Sequence, residues 1–312
     1  MDLENVLRFL NDCTARDAAC VLVTVCAVEG SSMRNPGTIM GVAEDGSFAG
    51  SLSGGCIENA VVAEALDTLK SGAARVVRFG AGSPFLDIKL PCGGGLDIHF
   101  CPLADGAFAQ ECLSAVQSRE PFSIGVTATG AQFHAGWQKP HFDGERAIFG
   151  HWPAPLLQII GHGAGVKALA LQARALGCDT RIVTPDERII ETLGKAGIPA
   201  QKLDRTDRTD MLTGDRWTAS IFLFHDHDWE DALMESALDL PHFYIGAMGG
   251  RKAHDRRCEA LRARGVSEAK LATIHAPIGL FHSSRDPQTL ALSTLAQTVR
   301  VYEETDFEAA HV

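Results

Sequence analysis

The chain has 312 residues, 46% of them hydrophobic and 21% charged, enough for two domains that each bury a core. A formal net charge of −11 argues against nucleic acid as a partner. No apolar run approaches the ~20 residues of a membrane span, and the acidic Met1-Asp2-Leu3-Glu4 lacks the basic start and apolar core expected of a secretory leader. The nine cysteines are therefore expected to be reduced thiols in a cytoplasmic protein.

In chain order, Leu3, Val6, Leu7 and Leu10 recur at helical spacing within 1–18, and Cys20–Val28 reads as a buried strand. A glycine- and serine-rich loop, Gly30–Gly37, places Arg34 between Ser32 and Pro36, a rigid turn that can present a guanidinium to an anion. Strands are predicted at Thr38–Ala43 and Ser47–Leu52, then a helix over Ile57–Leu69. Strands at Arg75–Phe79 and Leu96–Cys101, a helix at Phe108–Gln117, and strands at Ser123–Thr129 and Ala147–Phe149 follow. Gly150–Pro155, with two prolines, reads as a linker.

Beyond it the pattern becomes regular β-α alternation. Strands are predicted at Leu156–Ile160, Thr180–Thr184, Ala219–Phe224 and His242–Ile245. Helices are predicted at Ala164–Ala175, Glu187–Ala196, Trp229–Leu238, Arg251–Arg264 and Gln288–Tyr302. The fold class is thus α/β: a mixed α+β domain over 1–150, then a Rossmann-like, doubly wound parallel-sheet domain over 155–312.

Two cysteines sit against glycine clusters, Ser53-Gly54-Gly55-Cys56-Ile57-Glu58 and Pro91-Cys92-Gly93-Gly94-Gly95. Glycines beside a thiol leave backbone N–H groups open and let a ligand approach, and Cys56 falls at a predicted helix start. Such a pair suits something soft, anionic or redox-active; the alternative is two packed loop cysteines. The other cysteines, Cys13, Cys20, Cys26, Cys101, Cys112, Cys178 and Cys258, fall mostly inside predicted elements and read as small core hydrophobes.

Gly161-His162-Gly163-Ala164-Gly165 joins a buried strand to a helix, the setting of a phosphate cradle. Valine at 166 replaces the third glycine of a dinucleotide fingerprint, and Thr184 stands where its ribose-binding acid belongs, with Asp186 two residues on. NAD chemistry, another phosphate-bearing ligand and a ligand-free turn all remain open. Phe224-His225-Asp226-His227-Asp228 ends the third predicted strand of this domain, on the crevice side of the sheet, and could bind a metal, contact a polar ligand or cap the next helix. Arg251 and Lys252 open a helix after Gly249-Gly250, where cations call for an anion or else form a solvated turn. No nucleophilic-catalysis motif is present, so no catalytic residue is assigned.

Together these segments resemble the XdhC/CoxI family, accessory proteins of xanthine dehydrogenase-type molybdenum hydroxylases. The resemblance rests on Gly30–Gly37, Gly50–Val61, Pro91–Ile98, Gly161–Gly165, Tyr244–Lys252 and His275–Leu280, in family order over nearly the whole chain. Phe281-His282-Ser283-Ser284-Arg285 departs from it. The resemblance implies a chaperone that carries molybdenum cofactor (molybdopterin) as cargo while a cysteine desulfurase supplies its sulfido ligand. The cargo then passes to the molybdenum-binding subunit of the target enzyme, and a homodimer is expected. It makes Cys56 and Cys92 the metal contacts, flanked by Gly54, Gly55, Gly93, Gly94 and Arg34. Gly161, Gly163, Gly165 and Arg251 would receive the cofactor phosphate. An NAD(P)-dependent oxidoreductase and a thiol-dependent sulfurtransferase are the competing readings.

Overall fold

The structure is a computed structural model that describes residues 2–32, 34–83, 93–225, 227–281 and 286–309. The chain divides into two compact units, Met1–Pro153 and Ala154–Val312.

The first unit opens with α1 (Asp2–Ala15), β1 (Cys20–Glu29), β2 (Ile39–Ala43), β3 (Phe48–Ala49) and α2 (Glu58–Ser71). It continues through β4 (Arg75–Gly80), β5 (Gly95–Pro102), α3 (Ala107–Ser118), β6 (Phe122–Thr127), β7 (Gly130–Ala135), β8 (His141–Phe142) and β9 (Ala147–His151). A five-stranded antiparallel sheet runs β3-β2-β1-β5-β4, and a four-stranded one runs β7-β6-β9-β8. Alternation along β1 feeds two cores. Val21, Val23 and Val25 meet Val61 and Ala65 of α2, while Cys20, Leu22 and Cys26 meet α1, α3 and the four-stranded sheet. Helix α2 stops at Gly72, whose left-handed φ of 68° suits a glycine C-cap.

Register fixes which loops share an end of the five-stranded sheet. Glu29 pairs with Gly95 and Gly95 with Gly80, so β1 and β4 end where β5 begins. Strand β3 runs antiparallel to β2, and its exit at Gly50 reaches the Ile39 carbonyl at the same end. The Gly30–Gly37 loop and the loop carrying Cys56 therefore leave from one end, where Gly80 and Gly95 also stand.

The second unit comprises β10 (Leu156–Gly161), α4 (Ala164–Leu176), β11 (Asp179–Thr184), α5 (Glu187–Lys195), β12 (Ala200–Lys202), β13 (Thr218–Leu223) and α6 (Asp231–Asp239). Then come β14 (Tyr244–Ala247), α7 (Arg251–Ala263), α8 (Glu268–Leu271), β15 (Ile274–His275) and α9 (Pro287–Glu304). All pairings in its six-stranded sheet are parallel, in the order β12-β11-β10-β13-β14-β15. That is the 3-2-1-4-5-6 order of a doubly wound Rossmann fold. One face packs α4, α5 and α9, the other α6, α7 and α8, as two separate cores. Asp286 caps α9 by accepting from Gln288 and Thr289, with Pro287 at the first turn.

Several elements differ from the sequence reading. β7, β8, β12, α8 and β15 are additional, and short or weakly patterned. The predicted linker begins as strand, because Gly150 and His151 complete β9. Trp152 stacks on Trp137, ring centroids 5.1 Å apart and planes 6° apart. The predicted strand Ser47–Leu52 shortens to Phe48–Ala49, for a reason found in Glu58.

Candidate functional site

The loop between β3 and α2 is wound around the carboxylate of Glu58. Oε1 accepts from Ser51 Oγ at 2.8 Å and from the N–H groups of Leu52 at 3.1 Å and Ser53 at 2.9 Å. Oε2 accepts from Ser53 Oγ at 2.6 Å, Gly55 N at 2.9 Å and Ile57 N at 3.2 Å. The N–H groups of Leu52 and Ser53 are thereby turned to the carboxylate instead of a β ladder, and β3 stops at Ala49. Glu58 is 6% exposed. Burial opposes its ionised form, but the hydrogen bonds from Ser53 and Ser51 prevail and hold its pKa down to about 2. Sequence reasoning passed over this residue; the signal was a glutamate opening a helix behind two serines.

The remaining donors of the loop are also spent. Gly54 N donates to Ser51 Oγ at 3.0 Å and Cys56 N to Ser53 Oγ at 3.0 Å. The expectation that Gly54 and Gly55 leave N–H groups open to a ligand is thus corrected. Their φ angles of 76° and 110° show what the glycines do: they let the chain curl around the carboxylate. Cys56 stands exposed on this turn, just before Ile57 at the N-cap of α2.

The second thiol, Cys92, lies outside the described residues, but its glycine flank is ordered against the first loop. A Cβ on Gly94 would fall 2.5 Å from the Ser31 carbonyl and 2.8 Å from that of Glu29. Gly94 therefore serves close packing, whereas Gly93, with φ of 72°, faces open space. The structure so brings the Gly30–Ser31 turn and the Gly93–Gly95 segment together. Below them Arg78 bonds Asp97 at 3.0 Å and pairs with Glu29, tying β4, β5 and β1 at this end. Arg34, half-buried, follows the same turn, its N–H on Ser32 Oγ at 3.1 Å.

The other thiols behave as core. Burial pushes Cys20, Cys26, Cys101 and Cys112 up to about 12 and also raises Cys13 and Cys178. Cys258 is half-buried, 3.6 Å from Nε2 of His254 one turn earlier on α7.

In the second unit the glycines of the β10–α4 turn divide by role. Gly161, φ 154°, lies against the Leu223 backbone, where a Cβ would meet the carbonyl oxygen at 2.5 Å. Gly163, φ 83°, is the N-cap of α4 and has nothing within 4 Å of its missing side chain. Gly165 has only ordinary contacts, to Leu290 and Leu223. Val166 is fully buried, so the position of a third fingerprint glycine is core. Thr184 is buried as well, and Asp186 spends its carboxylate capping α5 through Arg188 N at 3.0 Å.

The turn faces the end of β13, where the His162 ring lies 5.4 Å from Phe224 and 5.7 Å from His225. Strand geometry ends at Leu223 and a 3-10 turn begins at His227, so the extended arrangement an HxH metal pair requires is not kept. Asp226 lies outside the described residues, and among the described ones no group of three metal-ligating side chains forms. Glu230, rather than Asp228, holds the N-cap position of α6. Arg251 and Lys252 are exposed in the first turn of α7, which has no side-chain cap and no acidic residue there. Beneath them Arg257 bonds Glu230 at 3.1 and 3.3 Å and the Met248 carbonyl at 2.7 Å, joining the loops after β13 and β14.

A family model described as the XdhC Rossmann domain matches residues 157–298, and one described as the XdhC and CoxI family matches residues 13–80. The chain is 33% identical to the molybdenum cofactor insertion chaperone PaoD of Escherichia coli (strain K12), covering 98% of this chain and 91% of that one. It is 22% identical to the uncharacterized protein YqeB of the same organism, over 87% of this chain but only 41% of YqeB. A crystal structure described as a xanthine dehydrogenase from Bacillus halodurans shares the fold, with a TM-score of 0.80 at 19% identity. That match covers 98% of this chain and 97% of the other. Among the described residues no helix is long and apolar enough to cross a membrane.

Proposed function

Because the chain belongs to the XdhC and CoxI family, we propose that it is a molybdenum cofactor chaperone. It holds the cofactor while a cysteine desulfurase supplies the terminal sulfido ligand. It then delivers the cofactor to the molybdenum-binding subunit of a xanthine dehydrogenase-type enzyme. The observation that carries this reading is the exposed Cys56 thiol, fixed on the Glu58 turn at the sheet end where the Arg34 loop also leaves. A thiolate suits the soft molybdenum centre, and Cys92 is its partner in this role. Within the second unit, the open N-terminal turn at Gly163 and the α7 start at Arg251 are suited to a phosphate. The protein acts as a homodimer in the cytoplasm and performs no turnover chemistry of its own.

The test is cofactor retention. Wild-type protein purified from cells making the cofactor is expected to carry molybdenum and pterin, and Cys56→Ala or Cys92→Ala to carry less. Normal retention by both variants refutes the assignment of the thiols. A sulfurtransferase would instead take sulfane sulfur from a small donor such as thiosulfate, releasing sulfite, and hold it as a stable persulfide on Cys56 or Cys92 without a desulfurase. An NAD-dependent oxidoreductase is disfavoured by the buried Val166 and Thr184; clear thermal stabilisation by NAD or NADP would favour it instead.

A further inference from the structure

We propose that Glu58 is a positioning residue for Cys56, and that it makes the Cys56 turn selective for the soft end of a ligand over a phosphate. The inference rests on the reading of Cys56 as a cargo contact and adds which end of the cargo it meets.

A turn with adjacent glycines at 54 and 55, both at positive φ, has little conformational preference of its own. What orders it is the Glu58 carboxylate, which gathers N–H groups on either side of the glycine pair: Leu52 and Ser53 before, Gly55 and Ile57 around and after. Ser53 relays the same anchor to the N–H of Cys56. An arrangement of convergent N–H groups is ordinarily an anion-binding nest. Here the anion is the chain's own side chain, held at 6% exposure.

Two consequences follow for a ligand. The N–H groups of Leu52, Ser53, Gly54, Gly55, Cys56 and Ile57 all donate within the turn, so none of them is left for a phosphate oxygen. A second anion brought to the turn would also meet the buried negative charge at short range. What the turn offers outward is the Cys56 side chain. It is therefore built for a thiophilic centre, and the phosphate of the same molecule must be held elsewhere.

The test is chemical rescue in the full-length protein. Glu58→Ala leaves the donors of Ser51–Ile57 facing an empty space of carboxylate shape. Amide hydrogen exchange across 52–57 is expected to accelerate about tenfold or more relative to wild type, while exchange within 61–71 of α2 is unchanged. Added formate is expected to restore protection and molybdenum cofactor retention; formamide, of the same size but uncharged, is not. Inorganic phosphate is expected to leave wild-type exchange across 52–57 unchanged. Unaltered exchange in Glu58→Ala, rescue by formamide as well as formate, or protection of the wild-type turn by phosphate would each overturn the proposal. Unchanged cofactor retention despite faster exchange would also overturn it. Should Glu58→Ala not fold, Ser51→Ala removes one donor and is read by the same exchange. If wild-type protein retains no cofactor at all, the chaperone reading fails while the formate and phosphate arms still decide the role of Glu58.

Discussion

The Ser53 hydroxyl donates to Oε2 of Glu58 at 2.6 Å, and its oxygen receives the N–H groups of Cys56 and Ile57 at 3.0 Å each. One side chain thereby joins a buried carboxylate to the backbone on which the exposed thiol stands. Ser53→Ala takes that relay away and leaves the Cys56 N–H without its acceptor. The expected cost is about 1–3 kcal/mol, read by urea unfolding, with reduced cofactor retention although both cysteines are intact. A variant with wild-type stability and retention would show that the relay contributes nothing.

Gly161 and Gly163 separate backbone necessity from ligand access. Gly161→Ala drives a Cβ into the Leu223 carbonyl at 2.5 Å, where neither strand can yield, so loss of soluble protein or a large fall in Tm is expected. Gly163→Ala meets open space and suffers only its φ of 83°, about 1–3 kcal/mol of strain. It should remain folded by circular dichroism. If the cofactor phosphate approaches this turn, retention by Gly163→Ala falls by more than its stability loss explains.

The Arg257–Glu230 pair is the most deeply buried ion pair among the described residues, its side chains 1% and 0% exposed. Arg257→Met strips both guanidinium bonds from an enclosed carboxylate and is expected to cost about 3–5 kcal/mol. The double variant Arg257→Met, Glu230→Leu is expected to recover most of that loss. A double-mutant cycle in denaturant measures the coupling, and additive losses would show that the two loops are held by other contacts.

His99 makes the stability of the first unit sensitive to acid. It is 1% exposed, its Nδ1 has no partner among the described residues, and burial pushes it down to about 4 against a hydrogen bond with the Thr127 backbone. Between the unfolded value of 6.5 and the folded value near 4, the unfolded chain takes up a proton that the folded chain refuses. Stability is therefore whole above pH 6.5 and declines as pH falls toward 4, by up to about 3 kcal/mol from this residue. Urea unfolding of wild type and His99→Leu at a series of pH values checks this, since the variant should show a shallower decline.

The second unit was legible where periodicity is strong. The strand into Gly161, the helix led by Asp286-Pro287, and the replacement of a fingerprint glycine by Val166 all describe the packed fold. Tyr244–Ala247 came out two residues later than predicted, because His242 and Phe243 precede the ladder with β13. Strands such as Ile274–His275 are shorter than any alternation can announce. At the candidate site the cysteines and glycines could be picked out, but not what each glycine does. Whether Gly94 is kept for a ligand or for the Ser31 carbonyl depends on a contact between segments some sixty residues apart. Ser51-Leu52-Ser53 alternates like a strand, and only the carboxylate seven residues beyond Ser51 pulls it out of the sheet.

The stacked indoles of Trp137 and Trp152 have an optical consequence. Two identical chromophores so close couple their excited states, and the twist between their long axes within the stack sets the size of a paired circular-dichroism signal that an isolated indole lacks. Of the four tryptophans, the other two, Trp217 and Trp229, belong to the second unit and do not stack on each other. The exciton signal therefore reports the first unit alone. With it, melting of the unit that carries Cys56 can be followed in the intact chain without any added label.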